Sequence, residues 1–85
     1  MHEEQLEQLL STLVAREAAL DPKAIDIHKP FAYYGLDSLA AVTLSGELET
    51  ALGRRLPATL AWDYPTISHL ARHLAGGSVA GGPSV

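Results

Sequence analysis

The sequence predicts an all-α fold: a small four-helix bundle of three main helices and one short helix, with a long ordered loop between the first two. Three observations carry this. Leucine-rich stretches at residues 6–14, 39–52 and 67–74 repeat their apolar positions at helical spacing. Proline or glycine separates them, at Pro22, Pro30, Gly35, Gly53, Pro57, Pro65 and Gly76. The one strand-like alternation, Ile25 and Ile27, is short and has no second strand to pair with.

The first helix is expected from about residue 3 to 19, because Leu6, Leu9, Leu10, Leu13 and Val14 form one apolar face and Glu3, Glu4 and Glu7 lie near the positive end of the dipole. Asp21-Pro22 stops it. Residues 21–36 hold Ile25, Ile27, Phe31, Tyr33, Tyr34 and Leu36 between Pro22, Pro30 and Gly35, which is too apolar for a solvated linker. They read as an ordered loop lying across a core, and loops of this length in small domains are usually functional.

The second helix is expected from about Ser38 to Leu52, with Leu39, Val42, Leu44, Leu48 and Leu52 as its apolar set and Gly53 as the left-handed residue beyond its end. Ala40, Ala41, Ser45 and Gly46 leave much of its remaining surface small, so another surface can approach it closely. A short helical turn fits residues 59–64. The last helix is expected to start at Thr66 as N-cap, to bury Ile67, Leu70, Ala71 and Leu74, and to end at Gly76. Residues 1–75 then form one domain, and residues 76–85 read as a flexible Gly/Ser/Pro-rich tail or linker, as fitting for an excised domain as for a standalone one.

A domain of 85 residues buries only roughly 60 to 65% of its unfolded surface, which leaves little room for an internal active site. The hydrophobic fraction of 47% suffices for a core, and 19% charged residues is too few for a disordered tail. A net charge of −4, with six scattered basic residues, offers no electropositive stripe, so nucleic acid is not an expected partner and basic protein surfaces are. There is no cysteine, so disulfides, thiolate metal sites and cysteine nucleophiles are excluded, and any thiol must come from outside. The acidic start lacks the apolar region of a signal peptide and no run is long enough to cross a bilayer; the chain reads as cytoplasmic, without a membrane partner, and monomeric.

The most informative residues are Gly35-Leu36-Asp37-Ser38-Leu39, where an exposed loop meets an apolar helix. Ser38 has two readings there, an ordinary N-cap or an anchor for a phosphate-linked group favoured by the free amides of the first turn. His69 and His73 lie one turn apart, but with no acidic residue between them and no third ligand they read as solvated side chains, as does His28. Trp62 and Tyr64 either pin the short helix to the core or line a channel. Glu47 and Glu49 are either contact residues or a wet face, and Asp63 braces the turn before the last helix.

At Gly35-Leu36-Asp37-Ser38-Leu39 the chain resembles acyl carrier proteins, specifically the carrier domains of type I polyketide synthases. The resemblance extends through Leu48-Glu49, Leu52-Gly53-Arg54-Arg55-Leu56-Pro57, Asp63-Tyr64-Pro65-Thr66-Ile67, Leu70-Ala71 and Leu74, and covers about residues 5–75. It implies 4′-phosphopantetheine, donated by coenzyme A, on Ser38, with the arm's thiol carrying acyl or polyketide intermediates as thioesters. That would supply the sulfur the chain lacks. It implies no catalysis by the domain itself, since Ser38 is the substrate of a phosphopantetheinyl transferase. Asp37 would help hold that enzyme's magnesium and orient the serine.

Helix II is the family's main recognition surface, which makes Leu39, Val42, Thr43 and Glu47 candidate contacts for the transferase, ketosynthase, acyltransferase and other synthase domains, although Leu39 and Val42 fit a core face equally well. No metal site of the domain's own is implied. Two competing functions are a peptidyl carrier of nonribosomal peptide assembly, disfavoured because Leu36-Asp37 stands where those domains usually show a glycine pair before the serine, and a helical docking domain that takes no prosthetic group.

Overall fold

Four leucines and a valine recurring at helical spacing fold as the first helix, α1 (Glu3–Ala18), in the computed structural model, which describes residues 2–81. Its start is tied by the His2 amide, which donates to the Gln5 side chain at 3.0 Å, with Glu3 and Glu4 in the first turn. Its end comes before Asp21-Pro22. Ala19 turns left-handed at φ 58, and the Leu20 amide reaches back to the carbonyl of Ala15 at 2.8 Å.

The chain continues through two 3₁₀ turns, Pro22–Ala24 and Phe31–Tyr34. It then enters α2 (Ser38–Leu52), the short α3 (Leu60–Asp63) and α4 (Ile67–Gly81). Gly53 ends α2 at φ 67 with its amide on the carbonyl of Glu49, and the Thr66 hydroxyl caps α4 by accepting from the His69 amide at 3.1 Å. These are the expected elements, with α1 one residue shorter than its apolar pattern suggested.

The last helix departs from expectation. It runs through Gly76 to Gly81 instead of stopping at Gly76. A glycine ends a helix by turning left-handed, as Gly53 does, and Gly76 does not take that conformation. Part of the segment read as a flexible tail is therefore helical, and residues 82–85 lie outside the described residues.

The core is the meeting of α1, α2 and α4, with α1 packed most extensively on α4. Leu6, Leu10, Val14, Leu44, Leu48, Ile67 and Leu70 are its largest fully buried side chains, and Leu60 and Ala61 of α3 close one side. Burying a leucine stabilises the fold by about 1.5–3 kcal/mol relative to leaving it in water, so this cluster dominates the energetics. Two surface ion pairs, Arg16–Glu47 at 4.0 Å and Arg72–Glu3 at 3.9 Å, are loose and partly solvated and add little.

The loop between α1 and α2 is ordered by specific bonds. The Phe31 amide donates to the carbonyl of Pro65 at 2.8 Å, and the Ser68 amide donates to that of Ile27 at 2.9 Å. The Tyr34 hydroxyl accepts from the Asp26 amide and donates to the Asp26 carbonyl. Phe31 is buried, and Ile25, Ile27, Tyr34 and Leu36 pack on the core. The loop is thereby fastened to the α3–α4 junction, which fixes where α2 begins.

Candidate functional site

Gly35 is the pivot that points the chain into α2. It adopts φ 78, a left-handed conformation that costs a glycine little, and its amide donates to the carbonyl of Ala32 at 3.0 Å. Asp37 follows in extended conformation, and its Oδ1 accepts from the amide of Ala40 at 2.9 Å. The N-cap of α2 is therefore Asp37, not Ser38. Both residue types cap well, and the backbone decides: Asp37 lies outside the helix at ψ −174, whereas Ser38 is already its first turn.

The serine is thereby left free. Ser38 is exposed at the first position of α2, and its hydroxyl is not used to close the helix. The amides of Ser38 and Leu39 belong to the first turn, where no intrahelical acceptor is available. From Asp37 to Gly46 the one charged side chain is Asp37 itself. An oxygen open to water, next to unpartnered amides at the positive end of a helix, suits a phosphate ester.

Leu39 and Val42, which fitted either the core or the surface, are on the surface, 74% and 47% exposed. Thr43 is exposed beside them, with its hydroxyl returned to the carbonyl of Leu39 at 3.1 Å. The buried face of α2 is made by Ala41, Leu44, Ser45 and Leu48. Small side chains at 41 and 45 thus serve close approach within the bundle, while two larger ones are left outside. Glu47 follows Thr43 by one helical turn. It is half-buried against α1, one carboxylate oxygen 4.0 Å from Arg16 and the other buried without a hydrogen-bond partner.

Glu49 is no wet face, because it is half-buried and its Oε2 accepts from the amide of Leu56 at 2.7 Å, bracing the α2–α3 connection. Trp62 does not pin α3 to the core. It is 62% exposed and rims a pocket of about 240 Å³ whose wall includes Leu36 and Ala41, on either side of Ser38 in sequence. Leu60 and Ala61 do the pinning, and Tyr64 stacks on His73 with ring centroids 4.1 Å apart. His73 is thus not free in solvent as expected, whereas His69 and His28 are exposed. Among the described residues no cluster of three or more histidines and carboxylates is arranged to hold a metal.

Sequence reasoning offered Trp62 as a channel-lining residue but missed Leu36 and the rest of the pocket wall, and it missed the aromatic step at the loop surface. Tyr33 is exposed, with the Lys29 ammonium 5.0 Å from its ring and Tyr34 edge-on at 5.2 Å.

A family model described as a phosphopantetheine attachment site matches residues 8–74. The chain belongs to this family. It is a carrier protein domain, of the kind that bears covalent 4′-phosphopantetheine. A phenolphthiocerol/phthiocerol polyketide synthase polypeptide of Mycobacterium tuberculosis is 39% identical over 71 residues, 84% of this chain and 4% of that polypeptide. A free-standing peptidyl carrier protein of Acinetobacter baumannii matches with a TM-score of 0.85 at 40% identity, covering 91% of this chain and 96% of that one. The HMG-ACPI domain of the CurA module of Lyngbya majuscula gives 0.84 at 25% identity, covering 95% and 82%.

The carrier domain is thus close to those of polyketide synthases, and it spans only 2–4% of the length of the synthase polypeptides it matches. No described helix is long and apolar enough to cross a membrane.

Proposed function

We propose that Ser38 is the attachment residue and that the domain presents acyl or polyketide intermediates to the enzymes of a type I polyketide synthase. The observation that carries this is the exposed Ser38 hydroxyl at the first position of α2, left free because Asp37 closes the helix. In the modifying reaction the Ser38 oxygen attacks the phosphorus of coenzyme A that carries the pantetheine. The new oxygen–phosphorus bond forms as the pyrophosphate bond breaks, adenosine 3′,5′-bisphosphate leaves, and the serine proton passes to a base of the transferase. The domain supplies the acceptor and its position, and the phosphopantetheinyl transferase supplies catalysis.

Asp37 has one carboxylate oxygen committed to the Ala40 amide, which leaves Oδ2 for the transferase's magnesium. Leu39, Val42 and Thr43 form the uncharged face offered to the transferase, ketosynthase and acyltransferase, with Glu47 at its inner edge. Once the arm is attached, tethering raises the effective concentration of cargo at each synthase enzyme to about millimolar for a short flexible link. We take residues 1–75 as the working unit, acting as a cytoplasmic monomer.

A second reading, a peptidyl carrier of nonribosomal peptide assembly, is supported by the similarity to the Acinetobacter baumannii protein. Loading by malonyl-transferring and by aminoacyl-adenylating enzymes separates the two: transfer of malonyl or methylmalonyl groups alone supports the polyketide reading, and transfer of an amino acid alone overturns it.

A further inference from the structure

Resting on the carrier reading, we propose that Lys29 is the amine to which the thioester on the Ser38 arm can lose its acyl group, and that Tyr33 is a positioning residue that holds Lys29 back. The chain has two lysines and no cysteine, so a tethered thioester meets few nucleophiles of its own chain. Lys23 lines a groove against α1 with Glu4, Glu7 and Ile27. Lys29 lies instead in the part of the loop that runs into α2. Its neighbour Pro30 shares the wall of the 240 Å³ pocket with Ala41, three residues after Ser38, which sets Lys29 beside the start of that helix. An extended phosphopantetheine arm spans about 15–20 Å at ordinary bond lengths, enough to sweep this loop.

Capture would discard the cargo. As the neutral amine, the Lys29 Nζ attacks the thioester carbonyl carbon; a nitrogen–carbon bond forms, the carbon–sulfur bond breaks, and the proton shed by nitrogen ends on the departing sulfur. The amide does not give its acyl group back to a thiol, and the arm is left bare. Tethering at an effective concentration of about millimolar keeps the two groups meeting. The contact at Tyr33 opposes this. The Lys29 ammonium sits 5.0 Å from the centroid of the Tyr33 ring, and neither of the two ion pairs found among the described residues involves it. A cation is drawn to the face of an aromatic ring and a neutral amine is not, so the ring retains the form of Lys29 that has no lone pair to attack with. Tyr33 is steadied in turn by Tyr34, edge-on at 5.2 Å, whose hydroxyl is bonded to the amide and carbonyl of Asp26.

The test loads the full chain from hexanoyl-coenzyme A with a broad-specificity phosphopantetheinyl transferase, as wild type, Tyr33→Ala, Tyr33→Phe and Tyr33→Ala with Lys29→Arg, and intact mass verifies each product. Tyr33 is 66% exposed, so its replacement leaves the core untouched. After timed incubation in mildly alkaline buffer, hydroxylamine strips the thioester but not an amide, and peptide mapping locates any acyl group that remains. The expected result is a resistant acyl group on Lys29 that forms about two- to fivefold faster in Tyr33→Ala than in the wild type, the scale of an exposed cation–π contact. Its rate should not depend on protein concentration, as an intramolecular transfer requires. Tyr33→Phe keeps the ring and should match the wild type, and Lys29→Arg should abolish the product.

Equal rates at Lys29 in the wild type and Tyr33→Ala overturn the proposal. So do acylation of Lys23 as fast as of Lys29, a rate that climbs with protein concentration, or a Tyr33→Phe protein that behaves like Tyr33→Ala. If no arm is added at all, the carrier reading fails and the proposal falls with it, whereas an arm that is added and yields no amide at Lys29 in any variant sinks this proposal alone.

Discussion

The Asp37 carboxylate accepts the amide hydrogen of Ala40 at 2.9 Å, so the residue before the serine closes α2 and Ser38 keeps its hydroxyl. Asp37 thereby holds two roles that substitution can separate. Asparagine keeps a capping oxygen and loses the charge, whereas alanine loses both. Asp37→Ala should cost about 1 kcal/mol in urea unfolding, and Asp37→Asn less than half as much. Both should slow transfer of the arm, followed by intact mass. An Asp37→Asn variant modified at the unaltered rate would remove the charge from the mechanism.

Leu39 and Leu48 belong to the same helix and differ in everything that matters energetically. Leu48 is fully buried, and Leu48→Ala should destabilise the domain by about 2–5 kcal/mol. Leu39 is 74% exposed, and Leu39→Ala should shift stability by no more than about 0.5 kcal/mol. Its effect should appear instead as a raised KM in the transferase reaction. An unchanged KM would take Leu39 out of the recognition face.

Ala19 is the one residue other than glycine with positive φ among those described, at 58°. The strain comes from its β-carbon. Ala19→Gly should stabilise the domain by about 1 kcal/mol, less the added chain entropy of glycine, without affecting modification. A lowered thermal midpoint would mean that the left-handed turn after α1 carries no strain.

Glu49 holds the α2–α3 connection through its 2.7 Å bond to the Leu56 amide. Glu49→Ala leaves that partly buried amide unpaired, at a cost of about 1–2 kcal/mol. Hydrogen exchange at Leu56 should accelerate in this variant while exchange in α1 keeps its order relative to α4. Unchanged protection at Leu56 would show that another acceptor serves it.

The helices were legible because apolar spacing, the acidic first turn of α1 and the stops at Gly53 and Pro65 all agree. What escaped was the choice among equivalent signals. Asp37 and Ser38 are both good caps in adjacent positions, and only the extended backbone at Asp37 tells them apart. Leu39 and Val42 lie across α2 from Leu44 and Leu48, so the helix carries apolar side chains on two faces, and the close packing that buries Ala41 and Ser45 with the second is a property of three helices together. Beyond Trp62, the wall of the pocket was invisible for a related reason. It joins residues 30–41 to residues 61–65, and no local pattern announces that meeting. By contrast the serine itself stood out, since a loop-to-helix junction shows in the order of residues.

The most direct test of the central claim is intact-mass analysis of the wild-type chain and of Ser38→Ala after incubation with coenzyme A, magnesium and a broad-specificity phosphopantetheinyl transferase. The wild type should gain the mass of one 4′-phosphopantetheine group, and Ser38→Ala, folded by circular dichroism, should gain none. A wild type of unchanged mass, or a folded Ser38→Ala that still takes up the arm, would contradict it.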